Sequence, residues 1–359
     1  MKLAIFGLTL SSSWGNGHAT LWRGLIRALA RGGHEVVFFE RDRPYYAAHR
    51  DLTALADAQL ILYEDWPAAA PLARRHTSDA DAVIITSYCP DAIPASRQIF
   101  DCGTRALRVF YDLDTPVTLA RRAAGEPVEY LPPEGLGEFD LVLSYTGGAA
   151  LTALKQQLGA RQVAALYGHV DPDAHCPAQR SEAPSAALSY LGTFARDRQP
   201  ALEKLFIEPA RLRPQQRFVL GGSGYPEDFP WLPNIWFKQH VAPGAHAAFF
   251  GCSRLTLNIT RADMAASGYC PSGRLFEAAA CGTPVLSDSW PGLEQFFIPG
   301  EEILVAGSTA DALAALDLPE RKLIGIARAA RERTLAQHTS THRAQQLLDI
   351  LGGQRPCGV

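Results

Sequence analysis

Short apolar runs closed by glycine, proline or polar residues recur along this chain, with amphipathic stretches between them. Leu3 to Leu8 is apolar, the loop Ser11–His18 follows, and a helical period then runs to Arg31, where Gly32 and Gly33 close it. The next apolar run is Val36–Phe39, with Glu40 at its end. Strand, glycine-bearing loop, helix and strand in that order predict a βαβ unit with parallel strands. Gln59–Tyr63, Ala82–Thr86, Arg108–Tyr111 and Leu141–Ser144 are the next expected strands, each a short apolar or β-branched run between helical or turn-rich segments. The stretch 166–177, LYGHVDPDAHCP, is interrupted by Gly168, Pro172 and Pro177 and reads as a connector. A second series of expected strands follows: Ser189–Leu191, Phe218–Leu220, Ala248–Phe250, Leu255–Asn258 and Val285–Leu286. Beyond Pro319 the period is helical, with Ile324, Ala327, Leu335, Leu347, Leu348 and Leu351 on the expected buried faces. The fold class expected is α/β, with two Rossmann-like domains whose parallel sheets face across a cleft, a common ligand position. The domains are placed at 1–166 and 167–330, with 331–359 as a C-terminal helix.

Composition supports that size. A chain of 359 residues with 47% hydrophobic content can build two cores, because single domains usually hold about 100–200 residues. The net charge of −3 gives no general basis for gripping nucleic acid or an anionic membrane, so phosphate recognition must be local. The opening MKLAIFGLTLSSSWGNGHA reads as a strand entering a ligand loop rather than a signal peptide, and no apolar stretch has the length of a membrane span. Seven cysteines, odd in number and without a CxxC pair, argue against a disulfide framework and a structural zinc. A reducing cytoplasm fits that usage. Oligomeric state is not legible.

The most chemical segment is Pro271–Asp288, PSGRLFEAAACGTPVLSD. Ser272 and Gly273 fall at an expected helix start, where free N–H groups and the positive end of the dipole face an anion. Arg274 adds a fixed positive charge. Glu277, three residues on, lies on the same side and suits a ribose or sugar diol. Gly282 is expected to end the helix, and Pro284 blocks its continuation. An ordinary helix and strand of a nucleotide-free core is the plainer alternative.

The order Arg-Leu-Phe-Glu-Ala-Ala-Ala-Cys-Gly-Thr-Pro-Val resembles the signature in the C-terminal domain of two-domain (GT-B) glycosyltransferases, of the family-4 type. It is similar above all to the spore-maturation CgeB-like branch, along most of the chain. Val170, Asp171, Pro172 and Pro177 also match the segment that begins the second domain of such enzymes. The resemblance implies a hexosyltransferase-like enzyme that passes a sugar from a nucleotide-diphosphate donor to an acceptor hydroxyl without a metal or other cofactor. It assigns donor binding to Ser272, Gly273, Arg274 and Glu277, and implies a last helix that crosses back to the first domain. One departure stands out: the first glutamate of retaining relatives, eight positions before Glu277, is here Tyr269, so retaining stereochemistry is not carried over.

Other loops complete the expected site. Trp14, Gly15, Asn16 and Gly17 form the acceptor-side loop, and His18 at its end could take a proton from an acceptor hydroxyl or simply cap its own helix. The resemblance favours the catalytic reading. Asp112 and Asp114 follow an expected strand, and either could orient His18 or act as the base, although Asp114 before Thr-Pro also suits a plain turn. No third ligand joins them, so no metal is expected there. The resemblance implies that either Arg196 or Arg198, after the second domain's first strand, neutralises the diphosphate, a solvated basic loop being the plainer alternative, with Ser223 and Arg261 on neighbouring loops. Gly15-Asn16-Gly17 with Glu40 partly imitates a dinucleotide fingerprint, but Thr20 occupies its third glycine position. A nucleotide-sugar epimerase and a non-catalytic nucleotide-sugar-binding module are the alternatives to transfer.

Overall fold

The computed structural model describes residues 1–55, 58–103, 105–178 and 185–354. These residues divide into two compact units. Unit 1 comprises Met1–Ser13, Gly17–Tyr167 and the segment from Ser340, and unit 2 comprises Trp14–Asn16 and Gly168–Thr339.

Unit 1 is built on β1 (Lys2–Gly7), β2 (Glu35–Arg41), β3 (Gln59–Tyr63), β4 (Ala82–Thr86), β5 (Leu107–Asp112), β6 (Leu141–Ser144) and β7 (Val163–Ala165). They form one parallel sheet in the order β3-β2-β1-β4-β5-β6-β7. Both faces are covered, and strand alternation divides the apolar residues between two cores. Leu3, Ile5, Val36, Phe38, Ile84 and Leu143 point to one, while Ala4, Phe6, Val37, Phe39, Ile85 and Val142 point to the other. The first core is closed by helix His18–Arg31, through Trp22, Leu25, Ile26 and Leu29, and by the last helix, Ser340–Gly353, through Ala344, Leu347 and Leu351. The chain returns to unit 1 at Ser340, whereas 331–337 complete helix Glu320–Gln337 of unit 2.

Unit 2 carries β8 (Ala186–Leu191), β9 (Phe218–Gly221), β10 (Ile235–Lys238), β11 (Ser253–Asn258), β12 (Val285–Ser287) and β13 (Leu304–Val305). Its sheet is also parallel, in the order β10-β9-β8-β11-β12-β13. In each sheet the order reverses beside the first strand, so β1 and β4 in unit 1, and β8 and β11 in unit 2, flank a switch point at their carboxyl ends. Two α/β units with parallel sheets agree with the fold class read from the pattern.

Some details differ from that reading. Ala248–Phe250, expected as a strand, lies in helix His246–Gly251; an apolar run this short has no periodicity to separate strand from helix. Ile324, expected on a buried face, is 57% exposed, and the buried stripe runs through Leu323, Ile326, Ala327 and Ala330 instead.

Candidate functional site

At the carboxyl end of the unit 2 sheet, helix Gly273–Ala280 begins after Ser272, which is extended at φ −61° and ψ 139°. The Ser272 hydroxyl accepts the Arg274 N–H at 3.3 Å, which satisfies one of the helix's free donors. Leu275 through Ala280 are buried, while Ser272, Gly273 and Arg274 remain partly accessible, so the open part of this helix is its positive end. Arg274 Nε is buried without a hydrogen-bond partner. Its charge acts on Tyr225 and Glu277.

Arg198 acts on the same Tyr225, donates to the Tyr190 hydroxyl at 3.4 Å, and has its own Nε buried without a partner. Of the two arginines left open by the sequence, Arg198 is therefore the one that joins Arg274 around Tyr225, and Arg196 is exposed at the start of the short turn Arg196–Arg198. Arg261 pairs with Asp197 at 3.3 Å, and the same Asp197 oxygen accepts the Ala262 N–H. Ser223 is buried in the loop after β9, where its carbonyl accepts the Phe194 N–H at 2.8 Å and the Tyr225 hydroxyl donates to the Gly192 carbonyl at 2.9 Å. Gly222 between them has φ +142°, and a Cβ there would stand 2.0 Å from the Gly192 carbonyl oxygen. Only glycine allows these two loops to meet.

Glu277 points to two histidines that sequence reasoning missed. His246 Nδ1 lies 3.5 Å from its Oε2, His175 Nε2 lies 4.0 Å from its Oε1, and the two imidazole nitrogens are 3.1 Å apart. Burial pushes the Glu277 pKa up, but His175, His246 and Arg274 outweigh it and hold the carboxyl at about 2. Burial lowers the pKa of His175, partly offset by Glu277.

Unit 1 gathers a second group at the carboxyl ends of β1, β4 and β5. His18 is the first residue of its helix; burial lowers its pKa, and Asp114 pulls it partly back. Tyr88 lies between them, its ring 5.7 Å from the His18 ring and its hydroxyl donating to Asp114 Oδ2 at 2.9 Å. Tyr88 also holds φ +64°, a strained conformation for a bulky residue. Asp112 is fully buried, its Oδ1 accepting from Thr118 Oγ1 and the Asp114 N–H at 3.1 Å each. Burial raises its pKa to about 6. His18 and Asp114 are thus brought together, and Asp112 holds the Asp114 backbone N–H.

The acceptor-side loop divides. Trp14, Gly15 and Asn16 group with unit 2, while Gly17 belongs to unit 1. Glu40, the acid of the dinucleotide-like pattern, is consumed by that loop's own start. Its Oε2 accepts the Leu10 and Ser11 N–H groups at 2.6 and 2.8 Å, and its Oε1 accepts the Thr9 and Ser11 hydroxyls at 2.8 and 2.6 Å. A carboxylate so satisfied, and 1% exposed, has nothing left for a ribose.

Residues 198–349 match the family described as Glycosyl transferase-like. The whole chain is similar to sucrose-phosphate synthase of Thermosynechococcus elongatus, at 16% identity and a TM-score of 0.76, with 98% of each chain covered. It is similar to Anabaena HepE in complex with UDP and glucose, at 16% identity and a TM-score of 0.67, covering 98% of this chain and 100% of that one. An alpha-glucosyltransferase in complex with UDP and a 13-mer DNA aligns at 13% identity and a TM-score of 0.70, over 98% and 99% of the two chains. No curated protein sequence matches the chain. The chain carries a glycosyltransferase-like domain on the two-domain GT-B fold. Among the described residues no helix is long and apolar enough to cross a membrane.

Proposed function

We propose that this protein is a glycosyltransferase of the CgeB-like branch, moving a sugar from a nucleoside-diphosphate donor to an acceptor hydroxyl. The observation that carries the reading is the pair of buried, unpartnered guanidinium nitrogens of Arg198 and Arg274 beside an open helix start. Buried charged donors without partners are costly, and a diphosphate would satisfy both. As the bond to the sugar breaks, negative charge grows on the leaving diphosphate, and these fixed donors stabilise it. Transfer is expected without added Mg2+ or Mn2+, since protein groups supply the neutralising charge. Ser272, Gly273, Ser223 and Arg261 border the donor, and Glu277 accepts from a donor hydroxyl. His18, poised by Asp114, would take the acceptor proton. That base role implies inversion, which suits Tyr269 in place of a glutamate. Six of the cysteines are free thiols, which fits a cytoplasmic setting.

The test is a titration of the protein with UDP-, GDP-, dTDP- and CMP-linked sugars and with NAD(H), read as thermal shift. UDP-glucose leads the panel because similar structures hold UDP with glucose. One nucleotide sugar is expected to stabilise the protein, with Arg274→Ala and Arg198→Ala each weakening it roughly 10- to 100-fold, as for charged hydrogen bonds. A shift with NAD(H) alone would overturn the reading. Incubation of the bound donor without acceptor separates transfer from epimerisation.

A further inference from the structure

We propose that His175, His246 and Glu277 form a binding site for a zinc-type divalent ion within unit 2. The three come from separate elements: His175 from the connector that enters the unit, His246 from the start of helix His246–Gly251, and Glu277 from the middle of helix Gly273–Ala280. All three are buried, and one ligand atom from each lies within 4.8 Å of the others. His175 Nε2 and His246 Nδ1 lie 3.1 Å apart, near the roughly 3.3 Å expected between neighbouring ligands of a tetrahedral ion held at about 2.0–2.1 Å, and Glu277 faces them with both oxygens, Oε2 at 3.5 Å from His246 and Oε1 at 4.0 Å from His175.

Hydrogen placement gives the second argument. His246 Nε2 lies 3.2 Å from the Val241 carbonyl, which only accepts, so this nitrogen carries the hydrogen. In the neutral ring Nδ1 then holds a lone pair, aimed at the Glu277 carboxylate and at His175 Nε2. With His246 neutral, electron-pair donors converge there with at most one hydrogen, that of His175 Nε2, to share among them. A cation resolves this convergence, and a ring N–H anchored to a backbone carbonyl is the usual support of a metal-bound imidazole. Two imidazoles and a carboxylate suit zinc or cobalt and leave a fourth position open. The ion would fix Glu277 and pin the connector to the sheet. It is separate from the diphosphate-binding groups, so transfer would stay independent of added Mg2+ while a strong chelator would weaken the fold.

The full-length protein, stripped with chelator, is titrated with Zn2+ against a chromophoric chelator and separately loaded with Co2+. The expected result is one equivalent bound, a visible tetrahedral Co2+ spectrum without a thiolate charge-transfer band, and a raised melting temperature with Zn2+. His175→Ala and His246→Ala should each weaken binding at least 100-fold, and the near-isosteric Glu277→Gln at least tenfold, with circular dichroism confirming that each variant is folded. Glu277 is shared with the donor reading, and Arg274→Ala should keep the ion while losing donor affinity, which separates ion binding from diphosphate binding. A thiolate band would place the ion on cysteines, and binding that survives both histidine variants, or no binding at all, would leave a hydrogen-bonded His–His–Glu cluster only; each result overturns the proposal.

Discussion

In the proposed role His18 would act as a base only while its imidazole is neutral, and its surroundings favour that form. Burial disfavours the imidazolium, so the pKa falls below the ordinary 6.5 although Asp114 pulls the other way. With the base lost only on protonation, kcat/KM should stay level through neutral pH and fall on the acid side, with a limb below 6.5. His18→Ala should abolish that limb and lower kcat by roughly a hundred- to ten-thousand-fold, the usual span for a positioned general base. A pH–rate profile of both proteins checks this, and an unchanged acid limb in the variant would remove His18 from the role. His18 and Asp114 were legible in the sequence because each follows a strand, where parallel sheets place their ligand loops. Tyr88 also follows a strand, but the positive φ that brings its hydroxyl to Asp114 leaves no trace in composition or period. His175 and His246 were hidden for a different reason: 71 residues separate them, and only the meeting of a connector with two helices makes them neighbours.

At the scale of elements, the proposed donor end depends on two strand-to-loop junctions that approach until backbone touches backbone. Gly222→Ala places a methyl 2.0 Å from the Gly192 carbonyl oxygen in a conformation, φ +142°, that L-residues rarely adopt. The obstructing atom is main chain, so no rotamer change relieves the clash. The variant should lose at least about 2 kcal/mol of stability, in the upper range for strain and overpacking. It should also bind donor more weakly, because Ser223 and Tyr225 follow directly. Urea denaturation beside donor titration measures both, and wild-type stability would show that the loops part easily. Long periodic elements were readable: helix His18–Arg31 and the strands around it carry consistent alternation, as does Ser272–Ala280 with its cap. Short edge strands were not. β10 holds Trp236, Phe237 and Lys238 exposed, and β13 has two residues, so neither offers a buried period to read.

For the whole molecule, sequence order and structural order part company at the end of the chain. Unit 1 begins the polypeptide, yet one of its cores is completed by the last helix, whose Leu347 and Leu351 are fully buried against the residues of helix His18–Arg31 and the first strands. Unit 2 has a core of its own around β8, β9 and β11. Leu347→Ala should therefore cost about 2–5 kcal/mol, the range for deleting a buried leucine side chain. The loss should be uneven. Amide hydrogen exchange is expected to quicken in β1, β2 and helix His18–Arg31, while β8, β9 and β11 keep their protection and nucleotide-sugar affinity stays within about twofold, since the donor groups proposed above all belong to unit 2. Equal loss of protection in both sheets would mean instead that the two units unfold as a single cooperative body. In that case a substitution remote from both functional groups would weaken donor binding by draining the folded population rather than by touching the site.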